Sequence, residues 1–286
     1  MPIEPPVASP RTLAEAYALL AELPHRPVAG GTDLLVHLTG ELGDPPERVL
    51  DIWHLDELRG IRVDSNAVVL GALTTYAEIR RSPLITEFLP AFAEAAATIG
   101  AAQIQNRGTI GGNVMNASPA GDMLPLLLAC DAQLAAGSAQ GERWIPVGEF
   151  WPGYRQTALE PSELLLRISI PLSAVRQLRY RKVGTRRAQA ISKVVMALSW
   201  QADPDPGAPW GDVHLALGSV APTPVRAPTT EAVLDGSAPT EAIADRAAST
   251  LAGELNPIDD VRSSADYRRA VAARVLHRLL RDEGDW

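Results

Sequence analysis

A single cysteine, Cys130, stands in this chain of 286 residues. A lone thiol excludes an internal disulfide framework. It also excludes an iron–sulfur cluster held by this chain, because such clusters need several thiolates. Cys130 closes the apolar run Leu126-Leu127-Leu128-Ala129-Cys130, so it reads as a buried structural thiol rather than a reactive one. The histidines His25, His37, His54, His214 and His277 are scattered without H-x-H or H-E-x-x-H spacing, and no metal site is indicated. Aromatic residues are only 5%, and the net charge is -8. With no basic stripe interleaved with aromatics, nucleic acid is excluded as a partner. The longest apolar run, Met123 to Cys130, contains Pro125 and is far too short to cross a bilayer. The first residues, Met1-Pro2-Ile3-Glu4-Pro5-Pro6, are neither positively charged nor apolar, so they do not read as a signal peptide. A cytoplasmic protein without membrane contact is expected. Two phosphate signatures are also missing. No G-x-G-x-x-G supports a Rossmann site, and no G-x-x-x-x-G-K-[ST] supports a P-loop.

What is present begins with 46% hydrophobic residues, enough for a sizeable core and, at this length, about two domains. Two glycine-paired loops carry the chemistry. The first is Val28-Ala29-Gly30-Gly31-Thr32-Asp33-Leu34-Leu35; the second is Arg107-Gly108-Thr109-Ile110-Gly111-Gly112-Asn113. Glycine lets the main chain turn at positive φ and approach a ligand closely. Successive N–H groups in such turns form an anion-binding concavity. Brought together, the two loops could grip the phosphates of a dinucleotide from both sides. The alternative for either loop alone is an ordinary turn.

The pattern along the chain predicts a capped helix from Thr12 with Leu13, Ala16, Tyr17 and Leu20 on one face. Strands are predicted over 27–29, 49–53, 60–63 and 67–70. Helices follow from Thr74 and over 88–99, and another starts at Asp122 and runs to Ala129. A hairpin pairs 131–136 with 143–146, and an alternating strand over 164–170 stops at Pro171. That proline and the polar stretch 173–177 mark a domain boundary. Beyond it, 178–183, 193–202 and 211–218 read as strands, with the turn Pro204-Asp205-Pro206-Gly207 between the last two. Helices are predicted over 240–251 and 264–282, the last with Tyr267, Val271, Val275 and Leu279 on one face. Strands followed by helices suggest a small α+β domain.

The loops and their surroundings resemble one family throughout. The matching segments include Ala29-Gly30-Gly31-Thr32-Asp33-Leu34-Leu35, Gly71-Ala72-Leu73-Thr74-Thr75, the second glycine loop, and Asn116-Ala117-Ser118-Pro119-Ala120-Gly121-Asp122. Glu163-Leu164-Leu165, Tyr180-Arg181-Lys182, Leu217-Gly218-Ser219-Val220-Ala221 and Tyr267-Arg268-Arg269 follow in order. The chain resembles the FAD-binding (medium) subunit of molybdenum hydroxylases of the xanthine dehydrogenase and carbon monoxide dehydrogenase type. That resemblance implies an α+β fold. A two-lobed, vanillyl-alcohol-oxidase-like FAD-binding domain would span 1–172, with lobes of about 1–56 and 57–172. A C-terminal α+β domain over 177–282 would carry a three-stranded antiparallel sheet.

The resemblance also implies roles. Val28, Ala29, Gly30, Gly31, Thr32, Asp33 and Leu34 would wrap the FAD pyrophosphate with backbone N–H groups. Thr109, Ile110, Gly111, Gly112 and Asn113 would do so from the other lobe, with the Thr109 hydroxyl as an extra donor. The loops hold no lysine, so backbone dipoles would carry the phosphate. Asp122 would accept from the adenosine ribose; by itself it reads as a helix N-cap. Leu165 would meet the isoalloxazine edge with its main chain, although it also fits a strand core. Ile99 and Gly100 would line one flavin face. Lys182 would lie against the flavin and favour the reduced anionic ring; without the resemblance it is a surface lysine on an alternating strand. Many relatives carry aspartate where this chain has Ala190. The implied activity is that of an electron-transfer subunit. Electrons would pass from [2Fe–2S] clusters on a partner chain through FAD to NAD⁺, oxygen or another acceptor. A further partner would carry the molybdenum cofactor, in a dimer of heterotrimers. Two other classes stay open: a stand-alone flavin-dependent reductase or oxidase, and a non-catalytic nucleotide-binding module. The substrate oxidised is not written in this chain.

Overall fold

A computed structural model describes residues 5–39, 44–186, 189–205 and 207–286. Pro206 of the predicted turn, and Arg187 and Ala188 beside Ala190, lie outside the described residues. In the first lobe, Val7–Ala8 (β1) leads to Leu13–Glu22 (α1), whose N-cap Thr12 accepts from the Glu15 N–H. Ala16 and Leu20, four residues apart, are the buried positions of α1, as helical spacing requires. Arg26–Val28 (β2), Leu34–Thr39 (α2) and Val49–Asp51 (β3) follow. They form a three-stranded parallel sheet in the order β1-β3-β2. The first glycine loop is the connection between β2 and α2.

The second lobe opens on the hairpin Ile61–Asp64 (β4) and Ala67–Gly71 (β5). Tyr76–Arg81 (α3) starts with a full capping box: Thr75 Oγ1 accepts from the Glu78 N–H, and Glu78 accepts from the Thr75 N–H. The helix predicted over 88–99 is Pro90–Thr98 (α5), and a helix not predicted, Pro83–Phe88 (α4), ends just before it. Leu89 precedes a proline and leaves the helical region for steric reasons. Ala102–Gln105 (α6), Ile110–Asn116 (α7) and Leu124–Ala129 (α8) lead to the hairpin Gln133–Ser138 (β6) and Gly141–Pro146 (β7). Leu164–Pro171 (β8) completes a five-stranded antiparallel sheet, β4-β5-β8-β6-β7. Val68, Leu70, Leu134, Ile168 and Ile170 pack one face against the helices. Ala135, Leu164 and Leu166 on the other face pack against α1 and the first lobe. Both faces of this sheet are therefore used, which fixes the lobes against each other.

After Pro171 come Arg176–Val183 (β9), Val194–Gln201 (β10) and Gly211–Gly218 (β11). The expected antiparallel sheet is present, and a two-residue fourth strand, Val225–Arg226 (β12), extends its edge in the order β12-β11-β10-β9. So short a pairing leaves no periodic pattern to read. Pro228–Leu234 (α9), Glu241–Glu254 (α10) and Ala265–Gly284 (α11) cover it. The buried face of α11 is Arg268, Ala272, Leu276, Leu279 and Leu280. Of the predicted stripe, Leu279 is in this face and Val271 and Val275 pack at its edge, while Tyr267 is exposed and the face centres one residue on. Buried Arg268 explains the shift: it donates to the Ser219 carbonyl at 2.6 Å and to Asp260 at 2.7 Å, so it turns inward with its charge paired. The C-terminal domain is joined to the second lobe at α8. The Ser199 hydroxyl donates to the Ala129 carbonyl at 2.6 Å, and the Ser219 N–H to the Pro119 carbonyl at 2.7 Å. Cys130 is buried beside this junction, and burial pushes its thiol pKa up to about 12.

Candidate functional site

The two glycine loops meet across the lobes. A Cβ on Gly30 would stand 1.7 Å from the Arg107 carbonyl oxygen, so only glycine allows the first loop to rest against the second. Gly31 lies at φ +76, the left-handed region that glycine enters without strain. The Arg107 guanidinium lies 3.8 Å from the centroid of the Trp53 ring, and Arg59 covers the same ring at 4.6 Å. These stacks add a cation–π tie between the lobes. The Asn116 side-chain amide donates to Asp33 at 3.0 Å, and Asn116 in turn accepts from Arg155 at 3.0 Å. Lobe one is thereby held to α7 at the rim.

Beneath these ties lies a cleft lined by Val28 to Leu34, Thr109, Gly111, Gly112, Asn113 and Leu165, with Ile52, Tyr76, Met115, Leu159 and Glu163 among its other walls. The structure thus brings together most of the residues singled out from the sequence. Ile110 is fully buried behind the loop. Asp122 and Lys182 meet elsewhere, at the junction with the C-terminal domain, and Ile99 and Gly100 follow Thr98, which Lys182 reaches. There the Lys182 ammonium donates to Asp122 at 2.6 Å and to the Thr98 carbonyl at 3.1 Å. Ser192 donates to the other oxygen of Asp122.

Two simpler readings fail here. Lys182 is not a surface lysine, because its side chain is 8% exposed. Asp122 is not an N-cap, because Met123 occupies that position without a side-chain bond. Burial pushes the Asp122 pKa up, against the pull of Lys182 and Ser192.

The loops differ in what they offer. Among the described residues, the N–H groups of Gly30, Gly31, Thr32 and Asp33 have no protein acceptor. The second loop corrects the expectation of open amides on both sides. Ile110 N–H donates to Thr74, Gly111 to Ala72, Gly112 to the Thr109 hydroxyl and Asn113 to the Thr109 carbonyl, all at 2.9–3.0 Å. These bonds start α7 and anchor it to the segment after β5. What the second loop presents to the cleft is side chains and close approach. The Asn113 Oδ1 is buried without a partner.

Tyr76 was not legible as a site residue. It carries a core position of α3, yet it lines the cleft. Its hydroxyl pKa is raised by burial and by Asp33 and Asp122, and lowered by the Asn113 side chain. Ser192 and Arg155 were also missed; each acts through a partner more than nine residues away in sequence, and no local pattern announces such a contact. A row of unpaired N–H groups in a cleft that also holds an orphaned acceptor and no lysine fits a dinucleotide held by backbone dipoles.

The comparisons with known proteins agree with that chemistry. Residues 3–173 match the family described as the FAD binding domain in molybdopterin dehydrogenase, and residues 179–282 match the CO dehydrogenase flavoprotein C-terminal domain. The carbon monoxide dehydrogenase medium chain of Hydrogenophaga pseudoflava is 34% identical, covering 95% of this chain and 94% of that one. The glyceraldehyde dehydrogenase medium chain of Sulfolobus acidocaldarius is 34% identical over 86% of each. A solved structure of the Hydrogenophaga pseudoflava carbon monoxide dehydrogenase superposes with a TM-score of 0.91 at 32% identity, covering 97% of this chain and 96% of that one. The chain belongs to the family of FAD-binding medium subunits of molybdenum hydroxylases, oxidoreductases of the carbon monoxide and xanthine dehydrogenase type.

Proposed function

We propose that this chain is the electron relay of a multi-subunit molybdenum hydroxylase. When bound, FAD supplies the redox chemistry, taking electrons from [2Fe–2S] clusters on a partner chain and passing them to NAD⁺, oxygen or another acceptor. The chain's own residues bind and orient the nucleotide. Val28 to Leu34 cradle the pyrophosphate, with the open N–H groups of Gly30 to Asp33 as donors. Thr109 to Asn113 close the cleft from the second lobe, Ile110 from behind. Leu165 offers its main chain to the isoalloxazine edge. Ile99, Gly100, Asp122 and Lys182 hold the domain junction on the flavin side. The working units are residues 1–172, with lobes of about 1–56 and 57–172, and residues 177–282.

The row of open amides in a lysine-free pair of loops carries the reading, because it suits two phosphates and no other common ligand group as well. The lone cysteine assigns the clusters to another subunit, and a third subunit holds the molybdenum cofactor. The assembly is a dimer of such heterotrimers in the cytoplasm.

The test uses the full chain reconstituted with FAD. It is expected to be yellow and to bleach with dithionite, but not with carbon monoxide, a purine or an aldehyde. Bleaching by one of those substrates would overturn the relay and favour a stand-alone enzyme. A colourless chain under saturating FAD would leave a nucleotide-binding module.

A further inference from the structure

His214 stands on β11 with 9% of its surface exposed, where the C-terminal domain meets the end of α8. Its Nδ1 lies 3.2 Å from the Ala129 carbonyl oxygen and 3.2 Å from an oxygen of Asp131. Its Nε2 lies 3.1 Å from Asp212 Oδ1. A carbonyl and an ionised carboxylate can only accept, so both ring nitrogens must donate. A neutral imidazole has one N–H; an imidazolium has two. A protonated Asp212 could supply the missing donor, but its carboxyl is held below the usual range: burial opposes this, and Arg176, His214 and Gln201 outweigh it.

The charges around the ring point the same way. Asp131 faces it from the end of α8, and Asp212 from β11 itself. Arg176 of β9 pairs with Asp212 and donates to Ser199 of β10 at 2.7 Å. Gln201 of β10 donates to Asp212 at 3.2 Å. Arg226 of β12 lies 3.4 Å from Asp131 and pairs with Glu231 of α9. The Cys130 thiol, with its pKa pushed up to about 12, is uncharged. Three carboxylates thus meet two guanidinium groups, and an imidazolium balances them.

We infer that His214 is a proton-operated latch between the two domains. As an imidazolium it ties β11 to Ala129 and Asp131 at the end of α8, with Asp212 on its other nitrogen. When a proton leaves to solvent, the ring loses its attraction to both carboxylates, and one nitrogen presents a lone pair to an oxygen. Val195, Ala197 and Ala216 of the C-terminal sheet stay packed in the shared core, so the junction loosens but does not part. The folded junction binds the proton. Its contribution is therefore present at low pH and lost as pH rises through the titration of His214.

Two measurements on the full chain test the latch. NMR of isotope-labelled histidine follows the ring, assigned by the signal missing in His214→Gln. Amide hydrogen exchange then compares His214→Gln with wild type at each pH, so that intrinsic exchange rates cancel. While the ring is cationic, the variant is expected to exchange about tenfold faster in peptides 124–132 and 211–218, the size of one lost bond to a charged group. Once NMR shows a neutral ring, that ratio should fall toward one. Peptide 49–58 of the first lobe should show no difference at any pH, which separates a latch from a general loss of stability. In Asp212→Asn, which leaves the ring in place, His214 is expected to titrate at lower pH than in wild type. A wild-type ring neutral throughout the folded range, an exchange ratio independent of pH, an equal change in peptide 49–58, or an unmoved titration in Asp212→Asn would each overturn the latch.

Discussion

Lys182→Met is expected to destabilise the protein, and to do so more at neutral than at acid pH. The Lys182 and Asp122 side chains are 8% and 10% exposed, with Nζ and Oδ2 2.6 Å apart. Removing the ammonium leaves the carboxylate in place with Ser192 as its remaining side-chain donor. Breaking a buried pair in this way costs about 3–5 kcal/mol. For a chain of this size that corresponds to a fall in melting temperature of roughly 10 °C.

The pH dependence follows from the direction of the Asp122 shift. Burial raises its pKa above the ordinary value, so between the unfolded and folded pKa values the folded state binds more protons. Stability therefore falls as pH rises through that window. Without Lys182 the folded pKa climbs further and the window widens. The deficit of Lys182→Met should then be small near the ordinary carboxylate range and grow toward neutrality. Thermal denaturation of both proteins across that range reads it directly. The double variant Lys182→Met/Asp122→Asn should recover much of the loss, since no buried charge is left unpaired. A deficit below about 1 kcal/mol, the scale of an exposed pair, or one independent of pH, would refute the reasoning. Because the substitution leaves the Asp122 carboxylate without its cation, it should lower the flavin midpoint potential at neutral pH, and the double variant, neutral like the native pair, should lower it less; spectroelectrochemical titration checks both.

Gly111→Val is expected to lose the fold rather than the flavin alone, because its Cβ would meet the Ala72 carbonyl oxygen at 2.4 Å; circular dichroism of the apo chain decides. Gly112→Ala meets only the Thr109 hydroxyl, at 2.9 Å, and should give folded protein with weakened FAD binding by fluorescence titration. Cys130 is buried with its thiol pushed up to about 12, so alkylation at pH 8 should be negligible in the native protein and complete after unfolding.

Most of the fold was legible because its signals are local. Thr12 and Thr75 cap helices where the pattern places them, and β11 spans Gly211–Gly218 as read. The four-residue spacing of Ala16 and Leu20 buries as a helix requires. What escaped depends on partners far away in sequence. Lys182 sits on an alternating strand and reads as solvated, but Thr98 at the end of α5 and Asp122 lie over it. The face of α11 turns by one residue because Arg268 finds Ser219 and Asp260. The open amides expected in both glycine loops are a row in the first alone, since the second loop spends those of Ile110 to Asn113 on Ala72, Thr74 and Thr109. A Gly-Gly pair announces that backbone approaches something; whether that is a ligand or another strand of the same chain is a tertiary fact.

That distinction changes what a motif match assigns. Gly30 is small because Arg107 of the other lobe touches it, and Gly111 because Ala72 does. Neither needs a phosphate to explain it. What points to a ligand is the set of groups the fold leaves unsatisfied: the N–H groups of Gly30 to Asp33 and the Oδ1 of Asn113. The first set can only donate and the second can only accept, so a ligand that satisfies both must carry anionic oxygens and a hydroxyl a short distance apart. A dinucleotide does; a simple carboxylate does not. The glycines set the distance between the two lobes, and the unpaired polar atoms are the groups a ligand between them would have to satisfy.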